Sequence, residues 1–308
     1  MEVTFLREED IWGDNALEVI KAYGTAVGIS DVAIALGTMM GSGTKNSAGV
    51  ASGVVWSMSP YEYEDVRTIN SHGDKNCDNP SERRVAGCPA LPFSTTSKIR
   101  PDNVGAMRLA NGKAVQICEY GVYPQTVAPK SVSQELEAQY QKNALKTTGK
   151  TYTFDSAKLD AYSTGFIPRN CAEYMFNGKR YVRIKGKPYD NDSILSDGTS
   201  VQKGQAYWFE VQPIEWLMDP KGTWVARQAL FAGIICKRIS PKKWKHSVSL
   251  RKPCRVLRFA TVISVRMSAV SETIRSFIRR GRTASRLRRR KPALSLISPM
   301  RRRLCATC

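Results

Sequence analysis

The sequence predicts an α+β fold of short antiparallel strands and hairpins with a few helices, followed by a basic C-terminal tail that is disordered or poorly folded. Three observations carry this reading. Asn177-Gly178 lies between Tyr174-Met-Phe176 and Lys179-Arg-Tyr-Val-Arg-Ile184, and this dipeptide readily takes the positive φ that a two-residue hairpin turn needs at both central positions. Ser131 followed by Gln134 forms a capping box ahead of a face made by Leu136, Tyr140 and Leu145, which predicts a helix over 133–145 that ends near Gly149. The third observation is charge. Residues 236–308 hold 22 Lys and Arg against the single acidic Glu272, whereas residues 1–235 hold 25 basic and 26 acidic side chains. The net charge of +20 therefore belongs to the tail.

Taken in order, Trp12 to Tyr23 reads as a helix with Leu17, Ile20 and Tyr23 as its apolar stripe and Gly24 as its stop. Ser30 and Asp31 offer caps for a short helix running through Leu36. Gly41-Ser-Gly-Thr-Lys-Asn-Ser47 is a loop by composition. From Gly53 to Arg67, alternation and aromatic residues predict strands with polar tips, and the turn-forming residues 70–80 belong at the surface. Asn111-Gly112 sets a hairpin between Met107–Leu109 and Val115–Cys118. Tyr207-Trp-Phe-Glu-Val211 and Ile214-Glu-Trp-Leu217 complete a sheet-rich second half.

This divides the chain into residues 1–100, an N-terminal helical segment with a polar loop, residues 101–235, an α+β hairpin-rich unit, and residues 236–308, the basic tail. The tail contains no Asp, Asn, Gln or Tyr and one glycine, Gly281, and it interleaves apolar runs such as Thr261–Val265 with arginine clusters. Three readings fit that composition: a shifted reading frame, a solvated basic extension, or an arm that binds nucleic acid through phosphate contacts. Its one local ordering signal is a short helix over 271–280, where Ile274, Phe277 and Ile278 share a face ahead of Gly281.

Cys77, Cys88, Cys118 and Cys171 are too few and too scattered for a disulfide scaffold. They read as small core residues, with a Cys77–Cys88 pair as the alternative in an exported chain. Cys305-x-x-Cys308 has metal-ligand spacing but no second pair beside it. The first ten residues lack the basic start and apolar core of a signal peptide. The most apolar stretch, Thr25 to Met40, contains Asp31 and is too short to span a bilayer. The expectation is a cytoplasmic or phage-particle-associated protein with no membrane span and no cofactor.

Glu119-Tyr-Gly-Val-Tyr-Pro-Gln-Thr126, the Asn-Gly hairpin and Tyr207-Trp-Phe-Glu-Val-Gln-Pro-Ile-Glu-Trp216 resemble the opening of a bacterial and phage-associated domain family of unknown function. Its members begin with a G-x-Y-P-Q-T turn and continue to a P-I-E-W strand. Trp56-Ser-Met-Ser-Pro60, the polar loop 61–80 and Cys88-Pro-Ala-Leu91 are similar to that family's ending, W-x-x-S-P, a polar loop and R-P-A-L, with Cys88 in place of arginine. The resemblance covers residues 50–235, with the ending-like piece ahead of the opening-like piece and the second unit breaking off near Gly233. It implies a lectin-like fold, related to C-type lectins and the formylglycine-generating-enzyme group, in which the polar loop binds protein or glycan.

The loop residues that point to such a surface are Ser57, Ser59, Tyr61, Tyr63, Asp65, Arg67, Asn70, Asp74, Asn76, Asp78 and Asn79. Tyr, Asn, Ser and Asp supply contact area and adaptable hydrogen bonds at low entropic cost. Residues 61, 63, 65 and 67 would share one face of a strand. Asp74, Asn76 and Asp78 alternate like the start of a calcium loop, without the sixth-position Gly or the distal Glu. Catalytic signals are poor. His72 is the body's only histidine and stands in a polar loop, no nucleophile elbow or phosphate loop is present, and Glu119, Glu210 and Glu215 would serve as glycosidase carboxylates only at a suitable separation. The chain reads as a non-catalytic binding module for a protein or glycan, with nucleic-acid binding through residues 236–308 as the rival.

With 22 like charges and one counter-charge, the tail is expected to form no core of its own. Limited trypsin digestion should remove it early and leave a resistant fragment ending near Lys237. Equal resistance of tail and body would show the tail to be folded.

Overall fold

A computed structural model describes residues 3–61, 65–79, 84–92, 101–109, 112–155 and 168–233. The readings made for the tail, including the helix over 271–280, lie outside these residues, as do Tyr63 and Asn111. Two short helices, α1 (Glu8–Trp12) and α2 (Glu18–Tyr23), lead into β1 (Gly28–Ile29) and α3 (Asp31–Ala35). Strands β2 (Met40–Lys45), β3 (Ala51–Gly53), β4 (Val55–Pro60), β5 (Val66–Ile69), β6 (Lys75–Asp78), β7 (Ala86–Gly87) and β8 (Ala90–Pro92) follow. The second half begins with β9 (Asp102–Arg108), β10 (Ala114–Val127) and α4 (Lys130–Gln141). It continues through β11 (Lys146–Asp155), β12 (Pro168–Phe176), β13 (Lys179–Lys185) and β14 (Ala206–Met218), and ends with β15 (Thr223–Ala226), β16 (Gln228–Ala229) and β17 (Phe231–Ala232). Strands dominate and most of their pairings are antiparallel, as expected of the α+β class.

The largest sheet has the order β11-β12-β13-β14-β10-β9, with β15 added to β14 and β8 to β15. A second runs β16-β1-β3-β2 and a third β17-β7-β4-β5-β6. The Gly121–Thr126 segment is strand within β10 and Pro213–Trp216 lies within β14, and these two strands pair, Val122 opposite Pro213 and Cys118 opposite Trp216. Strands on either side of residue 100 also pair. Trp224 of β15 meets Leu91 of β8, Ile29 of β1 meets Ala229 of β16, and Phe231 of β17 meets Gly87 of β7. The Trp56 indole N–H donates to the Gly233 carbonyl (2.8 Å), and the buried Asp219 carboxylate accepts the Val19 amide (3.0 Å).

The Asn177-Gly178 hairpin forms as expected, with φ +47° and +74° at its two turn residues and Phe176 opposite Lys179. The helix expected over 133–145 forms as α4, shifted toward the N-terminus. Pro129 occupies its N-cap position, so Ser131 already lies inside the helix and makes no capping bond; the Ser133 hydroxyl instead donates to the Ala128 carbonyl (3.0 Å). The helix stops at Gln141, and Gly149 lies inside β11. Leu136 is fully buried against Ala128, Phe176, Tyr181 and Trp208, with Tyr140 and Leu145 packed beside them.

Four local expectations are corrected. The helix expected over 12–23 is confined to α2, because Gly13 closes α1 just after Trp12 by donating to the Glu9 carbonyl and Leu17 takes an extended conformation before α2. Ser30 stands at the N-cap of α3 without a side-chain bond. The loop expected at 41–47 is mostly strand β2, where Gly41 allows close packing: a Cβ there would lie 2.3 Å from the Ser71 hydroxyl oxygen. Residues 75–78, expected as turn, form β6 against β5, since the partner strand satisfies their backbone groups better than water does.

Asp31 is a buried polar anchor. Its carboxylate accepts the Val127 amide (2.8 Å), the Ser196 amide (2.7 Å) and the Ser196 hydroxyl (2.6 Å), tying α3 to β10 and to the loop before β14. Burial raises its carboxyl above the usual carboxylate range, and these three donors oppose that rise.

Glu137 of α4 plays the opposite electrostatic part. Arg183 grips it with two bonds (2.8 and 2.7 Å) and the Trp208 indole donates to it (3.0 Å). The Arg183 bonds are the main cause that holds its carboxyl at about 2. The folded carboxyl thus titrates below an unfolded one at 4.5, so its stabilisation is full above pH 4.5 and lost as pH falls toward 2. Glu137→Gln should cost about 1 kcal/mol at neutral pH, read as a lower urea midpoint. The gap from the native chain should close through that acid window; a pH-independent gap would assign the loss to packing.

Candidate binding face

α1 lies across the β5–β6 hairpin, and the contact is largely electrostatic. The Glu8 carboxylate meets Arg67 Nε of β5 (3.1 Å) and Lys75 Nζ of β6 (2.9 Å). The Arg67 guanidinium lies 3.7 Å from the centre of the Tyr61 ring, and Lys75 Nζ lies 5.7 Å from that of Trp12. A ladder of ring, cation, carboxylate, cation and ring thus crosses three elements. Its members keep solvent contact, with Arg67, Lys75 and Glu8 side chains 21%, 47% and 30% exposed. The Lys75 hydrogen bond, ahead of the Arg67 charge, holds the Glu8 carboxyl below its usual range.

Local chemistry explains how the ladder is placed. The Glu8 amide donates to the Ser59 hydroxyl oxygen (2.8 Å), the Met58 amide to the Leu6 carbonyl (2.8 Å), and the Trp12 indole N–H to the Gly73 carbonyl (3.1 Å). Ile11 is the buried residue of α1. At the hairpin tip, Asn70 Oδ1 accepts the His72 and Asp74 amides (both 2.9 Å), and Asn70 Nδ2 donates to Asp74 (3.3 Å). This is the self-capping turn at which asparagine is strong.

Of the residues singled out in the sequence, Tyr61, Arg67 and Ser59 come together at the ladder, and Asn70 and Asp74 form the adjoining turn. Asn76 and Asn79 are exposed. Asp65 is half-buried, its carbonyl accepting the Tyr61 amide (2.9 Å), and Asp78 accepts the Thr68 hydroxyl (3.1 Å). Two expectations are corrected. Ser57 is fully buried, its hydroxyl oxygen accepting the Ser59 amide, so it belongs under the surface. Of residues 61, 65 and 67, only Arg67 lies in a strand, because β4 ends at Pro60 and β5 begins at Val66; Tyr61 meets Arg67 through its ring. Glu8, Trp12 and Lys75 were missed. Only the acidic first turn of α1 hinted at them, and their meeting depends on contacts across more than fifty residues.

The remaining candidates have separate settings. Register sets Glu119 directly opposite Glu215, but Asn103 donates to Glu119 (2.6 Å) while Arg227 pairs with Glu215. Glu210 pairs with Lys179 (3.0 Å). His72 is exposed. Cys88 is a buried free thiol donating to the Ala226 carbonyl (3.2 Å), so it forms no bridge with Cys77, and burial pushes it up to about 12. Leu6, Ile11, Ile20, Trp56 and Leu217 are among the residues that line a largely apolar cavity of about 20 Å³, room for about one water molecule. Among the described residues no helix is long and apolar enough to cross a membrane.

Asn70→Ala removes the acceptor of two turn amides. It should cost about 1 kcal/mol locally and speed hydrogen exchange at His72 and Asp74, leaving the amides of β14 protected. Unchanged exchange at both turn amides would show that the turn holds without that side chain.

Comparisons of the chain with protein-family models, with curated proteins and with solved structures found no match.

Proposed function

We propose that this chain is a non-catalytic, lectin-like binding module that recognises a protein or glycan through the face formed by α1 and the β5–β6 hairpin. The observation that carries the reading is the Tyr61–Arg67–Glu8–Lys75–Trp12 ladder, which keeps aromatic and charged groups ordered at the solvent boundary. Aromatic rings and arginine are the residues that concentrate binding energy at recognition surfaces. Ordering them in advance lowers the entropy lost on association. The resemblance of the Gly121–Thr126 and Pro213–Trp216 segments to a phage-associated domain family supports the same class of function.

A second reading rests on residues 236–308, whose 22 basic side chains against one acidic one would bind nucleic acid without sequence preference and with steep salt dependence. The two readings separate by deletion. Removing residues 236–308 should leave recognition by the ladder intact and abolish nucleic-acid binding.

On an array of glycans and peptides, Tyr61→Ala should weaken capture of whichever probe binds by about 2 kcal/mol, roughly thirtyfold. The melting temperature should stay within a few degrees of the native chain's. Undiminished capture by a folded Tyr61→Ala chain would remove the ladder from the binding surface.

A further inference from the structure

We propose that Glu8 is a built-in stand-in for the ligand, its carboxylate filling the seat between Arg67 and Lys75 that the carboxylate of an acidic sugar, a sialic or uronic acid, takes on binding. This rests on the recognition face proposed above and names the ligand chemistry that the face selects.

The seat belongs to the hairpin and its occupant to another element. Arg67 pairs with Cys77 and Ile69 with Lys75 across the β5–β6 ladder, so the two cations are diagonal neighbours on one strand pair, close enough to share a single anion. Glu8 arrives from α1 and places one carboxylate oxygen on each cation, at 3.1 and 2.9 Å. Two cations share one anion at this seat, so a ligand carboxylate gains both bonds only as Glu8 gives them up.

Displacement is cheap. Ion pairs that keep this much solvent contact contribute little to stability. α1 is five residues long and anchors one buried side chain, Ile11. Glu8 engages Arg67 through Nε, whereas a carboxylate approaching in the plane of the guanidinium can take two parallel bonds, the stronger arrangement.

The flanks choose the sugar. Tyr61 stands beyond Arg67 and Trp12 beyond Lys75, at ring distances of 3.7 and 5.7 Å from the cations. An acidic peptide needs the two cations and no aromatic partner. A pyranose carrying a carboxylate offers both the anion for the seat and an apolar C–H face for a neighbouring ring.

Calorimetric titration of the full-length chain and of Glu8→Gln tests this, with tetragalacturonate and sialyllactose as acidic probes, lactose as the neutral control and a polyglutamate peptide as the acidic non-sugar. Gln keeps the shape of Glu and its backbone bond to Ser59 while removing the charge. At least one acidic sugar should bind Glu8→Gln about tenfold more tightly than the native chain, lactose should not gain, and Arg67→Ala should abolish the binding in both backgrounds. Equal or weaker binding of both acidic sugars to a folded Glu8→Gln chain overturns the inference, and so does a gain confined to polyglutamate. The native chain supplies a readout that no variant's folding can spoil: tetragalacturonate or sialyllactose should shift the Trp12 indole and Arg67 Nε resonances, and silence from both overturns the proposal. Binding of lactose or a peptide that needs Tyr61 but ignores Glu8 would overturn this inference alone and leave the recognition face standing.

Discussion

β14 is the constraint on which the rest of the molecule depends. It hydrogen-bonds β10 along one edge and β13 and then β15 along the other. Tyr207, Trp208 and Phe209 are buried in succession, so both faces of the strand are covered, and Trp216 and Leu217 repeat this further on. A strand buried on both faces cannot slip by one residue without moving each indole to the wrong side. The indole N–H groups reinforce the register by finding acceptors, Glu137 for Trp208 and the Tyr120 carbonyl for Trp216.

The chain after β14 carries that order outward. β15, β16 and β17 follow one another closely, yet each joins a different sheet: β15 adds to β14 and β8, β16 lies parallel to β1, and β17 closes on β7. Residues 223–232 thus stitch the three sheets together, and the Trp56–Gly233 bond fixes β4 beside the last stitch. The β5–β6 hairpin is carried on β4. The position of Arg67 and Lys75 is therefore set by pairings that run back to the C-terminal end of the described body.

Polar groups are treated differently in the interior and at the face formed by α1 and the β5–β6 hairpin. Asp31 is buried among donors that fix one arrangement, and losing a partner there would leave a costly buried group. Glu8 shares its carboxylate between two cations that remain in contact with water, where each contact is weak and exchangeable. A rigid anchor in the interior and a labile pair at the surface suit the proposed recognition face, whose scaffold must hold if its seat is to open.

Features with a short-range physical cause were legible in the sequence. Asn177-Gly178 dictates its hairpin because both residues accept positive φ. The stripe of Leu136, Tyr140 and Leu145 marks the packed side of α4 and its neighbouring turn, although Pro129 rather than Ser131 starts that helix. Tyr61, Arg67, Asn70 and Asp74 were picked out by residue type, whereas Ser57 was misplaced because composition does not reveal burial. Tertiary structure alone decided the rest. Short, glycine-rich β2 becomes a strand only where β3 offers its backbone a partner. Glu8 meets Arg67 and Lys75 only because α1 is pinned over the hairpin by Ser59 and Gly73. Contacts between residues so far apart leave no periodic trace in the chain, since their energy is realised only after the sheets have closed.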